Sequence, residues 1–212
     1  GSDFEAWIKK NSGVVNFRSQ ILDNLLHLAK GVHLMHKKGF VHLDLKVSNV
    51  LMHQHLAKLA DFDSIALKGT DYKDFCQGTP IYAAPEMLQF KAEHLTKCDT
   101  YSFGAMMLES IFLDAKGEDK EAWSKAFADI KVKKGEVFPE FSLPRLIFKY
   151  RKNFPKDKQS IELLKVIKSA VQADPKKRPD MASIFFSLEK IQKLPSPIKK
   201  PGISQTRVLK SL

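Results

Sequence analysis

With 212 residues, 43% hydrophobic content and a formal charge of +11, the chain is long enough for one substantial core and favours anionic partners. The excess charge is scattered over helix faces and a C-terminal tail, without a basic stripe interleaved with aromatics, so no nucleic-acid partner is expected. Two cysteines, Cys76 and Cys98, without CxxC spacing argue against a disulfide framework or a zinc site. No apolar run approaches the roughly 18 residues of a membrane span, and an intracellular, cytoplasmic setting is expected.

From Val15 to Gly39 the apolar residues Phe17, Ile21, Leu25, Leu28, Val32 and Met35 recur at steps of three and four, which predicts one amphipathic helix ended by Gly39. His27, His33 and His36 on that helix lack ligand spacing and read as packing or surface residues. The pieces "GFVH", "NVLM" and "AKLAD" between Phe40 and Phe62 read as short strands. Ser64 to Pro85 carries no helical period; a loop of about 20 residues in a compact domain is uncommon unless functional.

"DTYSFGAMMLESIF" is apolar nearly all round and predicts a central helix. Further helices are predicted over Glu121–Ile130, Leu143–Tyr150, Ser160–Ala173 and Pro179–Lys193. Within the first of these and in the stretch after it, Trp123, Phe127, Phe138 and Phe141 are expected to pack in the core rather than form a docking patch. Residues 1–193 read as one unit and 194–212 as a flexible basic tail rich in Pro, Ser and Lys.

A group of short motifs then points to a family. "HLDLKVSN" at His42–Asn49 resembles the catalytic loop of protein kinases, and "DFD" at Asp61–Asp63 stands where they carry the metal-binding DFG. "GTPIYAAPE" at Gly78–Glu86 resembles the end of their activation segment. "DTYSFG" at Asp99–Gly104 and "DPKKRP" at Asp174–Pro179 resemble two further motifs of the large lobe. The resemblance implies a mainly α fold, a kinase C-terminal lobe with short β-hairpins at the catalytic loop, and no small N-terminal lobe in this chain.

The resemblance also implies roles. Asp44 would orient the substrate hydroxyl and accept its proton, and Lys46 would offset charge on the transferring phosphate. Asn49 and Asp61 offer the hard oxygen ligands magnesium prefers, and Leu51 would form the floor under adenine, so ATP and Mg2+ are the expected cofactors. Thr79 would bond to Asp44 and Lys46, a pairing that points to serine/threonine substrates. Glu86 and Arg178 would form a buried ion pair. Asp99 would cap the catalytic loop's amides, and His42 would pack beneath it.

Departures shape the expectation. Leu43 replaces the usual arginine, so activation by loop phosphorylation is not expected. Asp63 replaces a glycine, which either restricts this segment or perturbs the metal site, and Tyr101 replaces a tryptophan with the same packing role. No glycine-rich loop, strand lysine or helix glutamate is found. The expected protein is thus part of a serine/threonine kinase that phosphorylates a protein substrate and answers to a protein regulator, nearly inactive as this fragment. The alternative is a pseudokinase or scaffold that binds a partner without catalysis.

Overall fold

The computed structural model describes residues 2–12, 17–71, 79, 81–89, 92–113, 147 and 156–195 of the chain. Asp3 caps the first helix, α1 (Phe4–Asn11), by accepting the Ala6 N–H at 2.6 Å. Phe4, Trp7 and Ile8 form its buried face. Helix α2 (Phe17–Lys37) follows the predicted span closely, with Ile21, Leu25, Leu28 and Val32 buried and Met35 half-buried. Gly39 ends it at φ +86°, a left-handed conformation that costs a side-chain-bearing residue about 1–2 kcal/mol.

The stretch from 64 to 85 is not wholly loop, which corrects the expectation. Strand β1 (Phe40–Val41) pairs antiparallel with β4 (Ala66–Leu67), Phe40 opposite Leu67, and the Lys68 N–H donates to the Gly39 carbonyl at 2.7 Å. Between them β2 (Val50–His53) and β3 (Leu56–Leu59) form a hairpin whose register runs from Val50 opposite Leu59 to His53 opposite Leu56. The two loop residues, Gln54 and His55, both have positive φ, the turn geometry that matches strand twist. Val50 and Met52 face inward while Leu51 and His53 face out. Asn24 of α2 anchors the hairpin, its Oδ1 accepting the Ala57 N–H at 2.7 Å.

A short helix, α3 (Pro85–Leu88), precedes α4 (Leu95–Leu113), in which 15 of 19 residues are buried. An apolar surface on every side suits only a position enclosed by other elements. Here α1, α2 and α5 (Lys158–Ala170) all pack on α4, while α6 (Met181–Gln192) lies along α2 and α5. Gly104 allows the closest approach: a Cβ there would come within 2.8 Å of both the Ala170 and Val171 side chains.

The fold is mainly helical, as expected. The predicted helix over Glu121–Ile130, the aromatic residues Trp123, Phe127, Phe138 and Phe141, Cys76 and the tail from residue 196 lie outside the described residues. Within the predicted Leu143–Tyr150 helix only Ile147 is described; it is helical and buried.

Candidate active site

The loop after β1 is held from beneath by α4. Asp99 is fully buried and its carboxylate accepts the His42 N–H and the Leu43 N–H, each at 2.8 Å. Leu43 takes a left-handed φ of +64°, a conformation costing a leucine about 1–2 kcal/mol. Hydrogen bonds to a buried carboxylate contribute about 1.5–3 kcal/mol each, enough to offset it. His42 is buried with its ring 5.7 Å from that of Phe62, and neither ring nitrogen has a partner among the described residues.

On this support Asp44, Lys46, Asn49 and Thr79 meet in one network. Asp44 Oδ2 accepts from Lys46 Nζ at 2.7 Å and from Asn49 Nδ2 at 2.9 Å. Its Oδ1 accepts the Thr79 N–H at 3.1 Å and the Thr79 hydroxyl at 3.0 Å. Lys46 Nζ also donates to Thr79 Oγ1 at 2.9 Å. Burial by itself pushes the Asp44 pKa up; the Lys46 and Thr79 hydrogen bonds and the Lys46 charge outweigh it and hold the carboxyl below the usual carboxylate range. Asp44 is therefore ionised at neutral pH, and contributes stability that is lost only as the pH falls through its depressed value.

The two expected metal ligands stand at the open end of the β2–β3 hairpin. Asn49 ends the 3-10 turn before β2, and its carbonyl accepts the Ala60 N–H at 2.9 Å, so Asp61 follows one residue beyond that contact. Asn49 commits its Nδ2 to Asp44, leaving its amide oxygen unpartnered among the described residues. Asp61 is exposed and makes no hydrogen bond or ion pair among those residues. A neutral and a charged oxygen donor, both uncommitted, fit a magnesium ion that takes its other ligands from phosphate and water. Asp61 sits at φ +60°, whereas Asp63 is not among the positive-φ residues, so the residue in the glycine position carries no left-handed strain. Leu51 is 48% exposed on the outer face of the hairpin, where an apolar ligand or partner would cover it.

Glu86 and Arg178 form the expected ion pair, bidentate at 2.5 and 2.8 Å. Arg178 is buried, and its remaining donors reach the carbonyls of Gln172, Lys97 and Ala173. All five guanidinium N–H groups thus have acceptors. Its guanidinium also stacks on Tyr101, 4.9 Å from the ring centroid, so Tyr101 is more than packing.

Two features escape motif reading. His36, read from its spacing as packing or surface, donates its Nε2–H to Asp99 Oδ2 at 2.8 Å. The second is a contact between Tyr82, in the segment after Thr79, and Glu109 of α4, the phenol donating to the carboxylate. Burial, with a smaller push from Glu5 on α1, raises the Glu109 pKa to about 7, although the Tyr82 bond opposes the shift. A raised carboxylate pKa favours the protonated form in the fold, so stability is lost as the pH rises from 4.5 through about 7. Glu109→Gln removes that penalty while still accepting from Tyr82. The expected gain in unfolding free energy is about 1–3 kcal/mol at pH 8, shrinking toward zero near the ordinary carboxylate pKa in denaturant titrations. A gain independent of pH would assign the effect to packing instead.

Geometry and ancestry agree on the class of protein. The protein kinase domain family matches residues 2–187, and the chain belongs to it. It is 28% identical over 203 residues to cysteine-rich receptor-like protein kinase 1 of Arabidopsis thaliana, covering 92% of this chain and 32% of that protein. Against the Wee1-like protein kinase of Oryza sativa subsp. japonica the identity is 28% over 181 residues, 84% of this chain and 30% of the relative. Among solved structures the Legionella pneumophila LegK7 effector kinase shares the fold, with TM-score 0.70 at 15% identity, over 92% of this chain and 43% of that one. The chain spans about a third of the length of these curated relatives. No described helix is long and apolar enough to cross a membrane.

Proposed function

We propose that this chain is the large-lobe part, residues 1–193 with a basic tail at 194–212, of a serine/threonine protein kinase that transfers the ATP γ-phosphate to a protein hydroxyl. The observation that carries the reading is the convergence of Lys46, Asn49 and Thr79 on the Asp44 carboxylate, with Asp61 one residue beyond the Ala60–Asn49 backbone contact. Asp44, ionised and fixed by its donors, orients the incoming hydroxyl and takes its proton late, which suits a loose transition state that asks for alignment more than for a strong base. Lys46 supplies positive charge where the transferring phosphate develops negative charge. Asn49 and Asp61 would hold magnesium, which when bound neutralises phosphate charge. The Lys46–Thr79 contact at 2.9 Å supports serine or threonine as acceptor.

Leu51 and Phe62, exposed at the hairpin's edge, give the adenine floor and the lobe interface an apolar surface. The small lobe that completes the nucleotide site has no counterpart in the motifs of this chain, so the 212-residue chain alone should be nearly inactive. A cytoplasmic setting and a protein regulator fit this reading. The second reading, a scaffold, draws on an apolar groove of about 530 Å³ lined by Leu28, Met35, Phe40, Leu59, Phe62 and Ile65. Phosphotransfer by a chain extended upstream to kinase length, measured with intact Asp44 and with Asp44 replaced, separates the two. Transfer absent from both proteins, or equal in both, removes the enzymatic reading.

A further inference from the structure

A second cavity, of about 370 Å³, opens between the C-terminal end of α2, the residue after β4 and the first residues of α4 and α6. None of Asp44, Lys46, Asn49 or Asp61 lines it. Its walls carry His33, His36 and Lys37 from α2 and Lys68 from beyond β4, facing one carboxylate, Asp180. That carboxylate is already committed, accepting the Ser183 N–H at 2.8 Å as the cap of α6. His36 commits Nε2 to Asp99, leaving Nδ1 without a partner among the described residues. The nearby Lys97 spends its ammonium on the Arg178 carbonyl at 2.7 Å.

Two ammonium groups and two imidazoles from separate stretches of chain thus share one concavity. Like charges held together repel, and a bound anion of two charges relieves that repulsion more than a monovalent one. We propose that this cavity binds a tetrahedral dianion of the phosphate class, held by Lys37 and Lys68 with His33. The ligand is either a free ion or the phosphate of a modified serine. Because His36 lines the cavity and bonds the carboxylate that fixes His42 and Leu43, occupancy of the cavity would bear on the shape of the loop that carries Asp44. The site does not depend on the kinase reading.

The test is titration of the 212-residue chain with sulfate at constant ionic strength, balanced by chloride, with the histidine ring resonances observed by NMR. Saturable shifts of His33 and His36 with sulfate and none with chloride are expected. Lys37 and Lys68 are both exposed, so Lys37→Ala/Lys68→Ala keeps the fold, which its amide spectrum away from the cavity verifies. In that variant the affinity should fall about tenfold, the loss of two unit-charge contacts in a wet site. O-phosphoserine as a second titrant distinguishes the sources: tighter binding than sulfate assigns the ligand to a modified side chain, and equal binding assigns it to the free ion. No saturation with either titrant, the same response to chloride, or unchanged affinity in the double variant overturns the proposal.

Discussion

Asp44→Asn is expected to lower phosphotransfer by about 10²–10⁴-fold in a kinase-length chain carrying this lobe. The substitution keeps the shape of the side chain but cannot keep its contacts. Each carboxylate oxygen of Asp44 accepts from two donors, Lys46 and Asn49 on one and the two groups of Thr79 on the other. Whichever oxygen becomes an NH2 then faces two donors, so one side of the network must open. Lys46 loses its counter-charge and the acceptor hydroxyl loses its guide. A steady-state assay with a generic protein substrate reads the effect, and a fall confined to KM would count against a role in the chemical step. Thermal unfolding run in parallel separates lost chemistry from lost folding.

Removing Arg178 should be the most damaging single change to stability. Arg178→Ala is expected to cost about 3–5 kcal/mol, because Glu86 is left as a half-buried carboxylate without its partner. Three carbonyls, of Gln172, Lys97 and Ala173, lose their donors at the same time. Arg178→Lys should recover little of this. An ammonium offers three donors on a point charge and cannot reproduce a planar fork that satisfies five acceptors and stacks on Tyr101. For a domain of this size the alanine variant should melt about 10 °C lower or more. A Tm within a few degrees of the parent would show that the ion pair contributes little beyond what replacement contacts supply.

What the sequence made legible was what is local. The period of α2 and the all-round apolarity of α4 lie within short windows, and each helix emerged where expected. Helix α1 carries a readable signal, an Asp cap followed by apolar residues at helical steps in Phe4, Trp7 and Ile8. Strand β4 was not legible, because two residues have no period and their partner lies on the far side of the loop that carries Asp44. The hydrogen bond of His36 is illegible for the same reason: its partner, Asp99, is set by the crossing of α2 and α4 rather than by any neighbour in sequence. Glu109 looked like one polar position on a buried helix, and only the approach of Tyr82 gives it a role.

Asp99 joins three stretches of chain through one side chain: the end of α2 by His36, the loop by two backbone amides, and α4 on which it stands. Those two amides are therefore shielded by the seating of both helices and not by any strand ladder. Their exchange with solvent deuterium would proceed only when α2 and α4 separate, which makes His42 and Leu43 internal reporters of how often the lobe opens.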